Sequence, residues 1–482
     1  MTAKQPHIVV IGGGISGLSA AWFLQKMGVH YSLLEASDRW GGKVLTEQVN
    51  EFTDTPFVIE AGPDSFLTQK PWALQLARDL GLSDQLVSIN NRGRNTYMLH
   101  RGKPIALPDG FQLIIPTKLM PFLRSPLLSL PGKLRMALDW LILARPGDDD
   151  ETLAGFIRRR FGDEALDKIA EPLLSGIYNA ESDKQSLLAT FPRFRQLERE
   201  HGSLIRGTLK TRQAASASAP KTPTPPFMTL KGGTQELIES LVNQLTGDLQ
   251  LQTRVTAIES LPDQRYRVTT DSGETLEADA ILVTTPAYVT AQLLRPLKPK
   301  VADQLATIRH VSTGTISLAF KAADITLPLQ GFGLVIPKSE QRPINAVTIS
   351  SLKFDHRAPD GYILMRVFFG GSRSPQTMRL DDEHLLQVIR QELRSILNID
   401  AEPLFHRIYR WYEANPQYDV NHLKLVNQIE TGLPAGMYVT GCAFRGVGMP
   451  DCVYQAQQTV AKLLQHLKPV QPELLELTEA IH

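Results

Sequence analysis

The stretch best able to do chemistry in this 482-residue chain is Gly12-Gly13-Gly14-Ile15-Ser16-Gly17. It follows an apolar run, His7-Ile8-Val9-Val10-Ile11, and leads into Leu18-Ser19-Ala20-Ala21-Trp22-Phe23-Leu24, which keeps helical periodicity. A second β-like run, Tyr31-Ser32-Leu33-Leu34, ends on Glu35. Strand, glycine turn, helix, strand and closing acid make up a dinucleotide-binding unit. Gly12 permits the tight turn, Gly14 lets backbone approach a pyrophosphate, and Gly17 lets helix and strand pack closely. Phosphates are expected at the helix N-terminus, where free N–H groups and the dipole favour negative charge. Glu35 is placed to accept hydrogen bonds from ribose hydroxyls.

Arg39-Trp40-Gly41-Gly42-Lys43 follows, and then Glu60-Ala61-Gly62-Pro63-Asp64-Ser65. Gly41-Gly42 alone would be an ordinary turn. The arginine with its glycine pair resembles the segment that runs along the pyrophosphate towards the flavin in amine-oxidase-like flavoproteins. The dinucleotide is therefore expected to be FAD rather than NAD.

The elements that must position these residues are spread along the chain. Its length suits two or three domains, each with a core. Hydrophobic content of 42% and charged content of 21% are those of a globular protein, and a net charge of +1 gives no global attraction to nucleic acid. The two cysteines, Cys442 and Cys452, have no metal-ligand spacing, so no metal site is expected. They read as reduced thiols of a cytoplasmic protein, with a disulfide between them disfavoured. The nucleotide-binding strand begins too near Met1 for a signal peptide, and no long uncharged apolar run predicts a spanning helix.

Residues 72–81 predict a glycine-closed helix, with Lys70 just before it, and residues 96–107 a short hairpin. Pro116, Pro121, Pro126 and Pro131 then recur through an apolar segment whose charges are all basic: Lys118, Arg124, Lys133 and Arg135. Proline forbids one continuous helix, so short turns with apolar faces are predicted over 111–138. Three readings fit that pattern: an interfacial surface, a substrate-channel wall, or a subdomain packed within the protein. Residues 152–173 are helical, with Arg158-Arg159-Arg160 read as a solvated face and Pro172 as a kink or restart. Residues 213–226 read as a flexible linker or surface loop. Strands return over 249–284, and β-rich runs between 313 and 369 predict a second, antiparallel sheet. A strand over 437–439 and the turn Gly446-Val447-Gly448-Met449 then feed a last helix.

Glu171-Pro172-Leu173-Leu174-Ser175-Gly176-Ile177-Tyr178, Gly62-Pro63-Asp64-Ser65-Phe66-Leu67 and Gly446-Val447-Gly448-Met449-Pro450-Asp451-Cys452 together resemble the flavin-dependent porphyrinogen oxidases of haem synthesis. Thr190-Phe191-Pro192 and Pro416-Gln417-Tyr418 add to the likeness, which covers nearly the whole chain. It is strongest to the bacterial type acting on coproporphyrinogen III. The resemblance implies an α/β fold: a Rossmann-like FAD domain in segments 1–88, 227–300 and 432–470, and a mixed-sheet substrate domain in 89–112 and 301–431. A helical, membrane-associating insertion occupies 113–202, followed by a flexible linker over 203–226. Non-covalent FAD would be held by Gly12, Gly14, Ser16, Gly17, Glu35, Ala36, Arg39, Gly42, Lys43 and Val255. Gly62, Pro63, Asp64, Ser65, Trp411, Val447, Gly448 and Met449 would lie along the flavin ring. Ile177 and Tyr178 are expected to line the macrocycle pocket, and Lys70 to steer or bind a substrate carboxylate.

The implied chemistry is a six-electron oxidation in three two-electron steps, each moving a hydride from an sp³ bridge carbon to flavin, with dioxygen as acceptor and hydrogen peroxide as product. The cofactor carries the hard step, so no strong general base is required. Partners implied are a porphyrinogen, dioxygen, an anionic membrane surface and a downstream haem-synthesis enzyme, at a cytoplasmic location peripheral to the inner face of the cell membrane. Two departures stand out: Asn179-Ala180-Glu181 replaces the family's Ala-Gly-Asp, and Asn421 replaces a glycine before His422. Protoporphyrinogen IX remains an alternative substrate. An amine oxidase or desaturase, and a non-catalytic FAD-binding protein, remain alternative classes.

Overall fold

The computed structural model describes residues 6–90, 95–217 and 225–467. Its organising element is the strand His7–Ile11, buried on both faces, which is why its apolar run is continuous rather than alternating. This strand pairs in parallel with His30–Leu34 on one side and Ala280–Val283 on the other. Asp248–Gln250 and Met437–Val439 complete a five-stranded parallel sheet. Ile8 and Val10 pack towards the helices Ile15–Lys26 and Met449–Leu467. Val9 and Ile11 pack against the other face, with Val255, Ile258, Ala287 and Ala291. One nucleotide-binding layer is therefore assembled from chain segments hundreds of residues apart.

A seven-stranded sheet forms the second layer, in the order Phe405–Pro416, His310–Lys321, Tyr362–Gly370, Ile344–Ile349, Gly333–Val335, Thr96–His100, Lys103–Ala106. Its pairs are antiparallel except Gly333–Val335 with Thr96–His100, so the sheet is mixed. Side chains alternate between its faces. Ile316, Leu318, Met365, Val367 and Phe369 meet the helix Asp382–Leu397. Thr313, Thr315, Arg366, Phe368 and Trp411 take the opposite face.

The intervening segment is helical around Phe156, Ile157, Phe161, Ile169, Leu187 and Phe194. The closely spaced prolines divide its start into the short helices Leu119–Arg124 and Leu130–Ala137, the second capped by the Ser129 hydroxyl accepting from the Gly132 N–H at 3.1 Å.

Three expectations need correction here. Arg158-Arg159-Arg160 is not a solvated face beyond Arg158. Arg160 is fully buried, donating to Asp139 Oδ1 at 2.6 Å, and Arg159 pairs with Glu198 and Glu151. Nor does Pro172 restart a helix. The chain stays helical over Leu166–Ser175 by widening to a π-helix, which carries the proline ring past the carbonyl it would strike in an α-helix. The linker expected over 203–226 is largely a helix, Leu204–Ala217, anchored by the buried Leu204 and Ile205. Residues 218–224 of that expectation lie outside the described residues.

Candidate flavin site

The glycine turn sits where the central strand meets the helix Ile15–Lys26. Gly12 adopts φ +108°, and a Cβ there would lie 2.7 Å from Thr284 Oγ1. A Cβ on Gly17 would lie 1.8 Å from the Gly12 carbonyl oxygen, so helix and turn touch through backbone alone. Gly14 differs: nothing lies within 4 Å of its added Cβ. That helix has no side-chain cap and no acid in its first turn, which leaves its N–H groups free to face the open side.

Glu35 ties this turn to the second strand. Its Oε2 accepts from the Gly13 N–H at 2.6 Å, and its Oε1 accepts from the Ser37 N–H and hydroxyl at 2.8 and 2.7 Å. Ala36, the next residue, is exposed. The Gly41 N–H donates to Gly13 at 2.8 Å, and Gly42 packs on Gly14. The Arg39 guanidinium donates to the Gly42 carbonyl at 2.5 Å and lies 5.8 Å over the Trp411 ring. The Lys43 ammonium donates to the Ala414 carbonyl at 2.6 Å. Val255 is buried beside Ile11 and Leu34 at the same end of the sheet.

The wall continues from Lys43 to Gly62, whose Cβ would strike the Lys43 carbonyl oxygen at 1.8 Å. The Ala61 carbonyl accepts from Trp411 Nε1 at 2.8 Å and from Arg366 Nη2 at 3.2 Å, and the Gly62 carbonyl accepts from Arg366 at 2.6 Å. Asp64 accepts from Ser65 and pairs with Lys353 at 2.7 Å. Burial alone would raise the Asp64 carboxyl, but Lys353 and Arg366 outweigh it and hold it below the usual carboxylate range. Sequence reading missed Arg366, Lys353 and Thr315; the two-residue alternation of their strands hinted at the face of Arg366 and Thr315, while Lys353 sits on the short helix Ser350–Lys353.

The last helix closes the site. The Gly446 N–H donates to the Tyr418 hydroxyl at 2.8 Å, which itself donates to the Cys442 carbonyl at 2.6 Å. Tyr418 stacks on His422 at 4.0 Å and lies 5.8 Å from the Tyr178 ring. Burial pushes the Tyr178 and Tyr418 phenols up, and the Asp451 charge adds to the effect on Tyr178. Ile177 stands exposed at the end of the π-helix.

Lys70 has a partner of its own. Its ammonium meets both oxygens of Asp451, at 2.7 and 2.8 Å. Asp451 in turn crosses the glycine turn, so that a Cβ on Gly446 would lie 2.5 Å from it. The nearest carboxylate to Lys70 is thus the chain's own, which the one-dimensional alignment could not reveal. A separate cavity of about 300 Å³ beside the π-helix is lined by Asp167, Glu171, Glu181 and Asp183 against Arg158, Lys338 and Arg373. Four carboxylates against three cations make it a poor receptor for an anionic ligand.

These residues fit FAD. The open side of Gly14, the uncapped helix N-terminus and the buried, unpartnered Thr440 hydroxyl beside Gly441 all await a polar group. Ser16 lies at the same place, its hydroxyl 3.4 Å from a Cβ on Gly441.

Fold and site together define an FAD-dependent flavoprotein built on a dinucleotide-binding sheet. Residues 15–464 match the family described as flavin containing amine oxidoreductase, and the chain belongs to that family. Coproporphyrinogen III oxidase of Bacillus subtilis (strain 168) is 37% identical over 478 residues, covering 97% of this chain and 100% of that protein. Chloroplastic protoporphyrinogen oxidase of Oryza sativa subsp. japonica is 30% identical over 487 residues, covering 95% and 88%. Among solved structures, a protein of Exiguobacterium sp. 255-15 provisionally described as a protoporphyrinogen oxidase matches with a TM-score of 0.84 at 32% identity, covering 96% and 99%.

Proposed function

We propose that this protein oxidises coproporphyrinogen III to coproporphyrin III with dioxygen, releasing three hydrogen peroxide molecules per macrocycle. FAD, when bound, supplies the two-electron chemistry. The observation carrying this reading is that three ionisable side chains closing the site, Lys70, Tyr418 and His422, are already engaged by the chain itself. Lys70 is paired with Asp451, the Tyr418 hydroxyl is doubly bonded, and His422 Nε2 donates to the Phe444 carbonyl at 2.8 Å. Such a site supplies position rather than acid–base catalysis, which suits hydride loss from an activated carbon. The 37% identity to a coproporphyrinogen III oxidase favours that substrate over protoporphyrinogen IX. In this reading Glu35 and the turn at Gly12, Gly14, Ser16 and Gly17 hold ribose and pyrophosphate. Gly62, Pro63, Asp64, Ser65, Trp411 and the Val447-Gly448-Met449 segment back the ring, and Ile177 and Tyr178 flank the macrocycle. The test is porphyrin fluorescence from both porphyrinogens at matched flavin content. Faster turnover of coproporphyrinogen III is expected; turnover of protoporphyrinogen IX alone, or of a polyamine alone, would reverse the assignment.

The protein also rests on anionic membrane surfaces in this reading. No helix among the described residues is long and apolar enough to cross a membrane. Leu119, Met120, Leu123, Leu130, Leu134, Leu138, Trp140, Leu141 and Leu143 nevertheless lie exposed together in one short stretch. Lys118 and Arg124 are exposed with them and supply charge complementary to anionic headgroups. Lys133 and Arg135 leave the basic fringe: Lys133 is buried against the Leu123 carbonyl at 2.7 Å, and Arg135 donates to the carbonyls of Arg158, Arg159 and Arg160.

A further inference from the structure

Five charged side chains gather behind the Ala61–Gly62 wall. Glu60 pairs with Arg357 at 3.2 Å, and Asp64 pairs with Lys353 at 2.7 Å. Arg366 is the fifth. It is 4% exposed, its guanidinium carbon lies 4.8 Å over the Phe368 ring, and no carboxylate of the described residues comes within ion-pairing distance of it. Nη2 donates to the Ala61 and Gly62 carbonyls, while Nε is buried without a partner. Glu236 faces the Glu60–Arg357 pair as well, and Arg366 is the one cation of the group left without a direct carboxylate partner in a dry place. An unpaired buried charge is costly, so its retention needs a negative charge it can meet.

The neighbouring wall supplies a reason. Gly14, Gly42, Lys43 and Gly62 form one continuous backbone surface leading from the open nucleotide turn to the carbonyls that Arg366 holds. Hydride transfer carries two electrons and one proton to an oxidised flavin, leaving the ring with one negative charge. The donor carbon, left cationic, regains neutrality by releasing a pyrrole N–H proton. We propose that Arg366 is the built-in counter-charge for the reduced flavin, so that its positive charge, set against the Ala61–Gly62 segment, raises the reduction potential of the bound cofactor. The inference rests on the flavin and not on the identity of the porphyrinogen.

The test uses the FAD-loaded protein and no porphyrin. Arg366→Met, Arg366→Lys and Lys353→Met are compared with wild type by dye-equilibrated reductive titration. A second readout is titration with sulfite, whose addition to the oxidised ring also leaves one negative charge there. Arg366→Met is expected to weaken the sulfite adduct about tenfold or more and to lower the two-electron equilibrium constant by the same factor, a shift of about 30 mV. Arg366→Lys keeps the charge and most of the potential. Lys353→Met frees Asp64 to pair with Arg366, so it should move both readouts in the same direction as Arg366→Met. Unchanged potential and sulfite affinity in an Arg366→Met protein that retains its flavin would overturn the proposal. Should that variant fail to fold, unchanged values in Lys353→Met would do so instead.

Discussion

Mild acid should loosen this protein through one residue, His422. Its ring is 3% exposed, stacked 4.0 Å from Tyr418, and its Nε2 donates to the Phe444 carbonyl. The buried imidazole is therefore neutral, with its proton on Nε2. Desolvation lowers its pKa from 6.5 to about 4. Between those values the unfolded chain takes up a proton that the folded protein refuses. Stability consequently rises with pH across the window, is fully present above about pH 6.5, and is lost as pH falls towards 4. The whole span is 2.5 units at 1.36 kcal/mol each, about 3 kcal/mol, of which about 2 kcal/mol is gone by pH 5. His422→Gln keeps an amide donor for Phe444 and removes the titration. Urea midpoints at pH 7.5 and pH 5, followed by flavin fluorescence, give the difference directly. Wild type should lose about 2 kcal/mol more than the variant. Equal losses would refute the assignment of a neutral, buried His422.

Other perturbations read other parts of the site. Glu35→Ala removes the acceptor of the Gly13 and Ser37 donors and should lower FAD content at least severalfold while the helical region keeps its circular dichroism; unchanged flavin content would remove Glu35 from the site. Lys70→Met breaks a partly exposed pair with Asp451 worth about 1 kcal/mol or less, so its specificity constants for both porphyrinogens should fall by the same factor, about fivefold at most. A much larger loss on coproporphyrinogen III alone would return Lys70 to a substrate propionate. Leu141→Glu with Leu143→Glu should abolish binding to anionic liposomes and spare turnover in detergent, whereas Lys133→Gln should cost thermal stability because that side chain is internal. Acid precipitation should release the flavin into the supernatant, since the cradle holds it without a covalent bond.

Local chemistry was legible wherever local sequence sets the backbone. The turn from Gly12 to Gly17 needs a missing side chain at particular contacts, and only glycine provides it, so the motif announced its own conformation. The central strand was legible because burial on both faces demands a continuous apolar run. The π-helix was not, because proline excludes an α-helix without stating what replaces it, and packing at Leu166, Ile169 and Ala170 decided the matter. Arg159 and Arg160 were misread for a related reason. Helical spacing places a residue on a face, but whether that face meets water depends on Asp139 and Glu198, distant in sequence.

Charge is where the fold changes the sequence reading most. Read in one dimension, Glu60-Ala61-Gly62-Pro63-Asp64-Ser65 brings two acids and no base to the proposed flavin wall, an environment that would oppose reduction. The fold answers with Lys353, Arg357 and Arg366, delivered from the region of the strand Tyr362–Gly370 that lies across the site. Each acid of the wall segment thereby gains a cation, and Arg366 is added without a direct carboxylate partner. With an effective dielectric near 20, one unit charge within roughly 12 Å of another is worth about 1.4 kcal/mol or more, a factor of ten in an equilibrium. An effect of that size cannot be read from either segment alone, because each carries only half of the field. The acids keep the wall segment fixed through Lys353 and Arg357, and the remaining cation, Arg366, has the proposed role of acting on the cofactor.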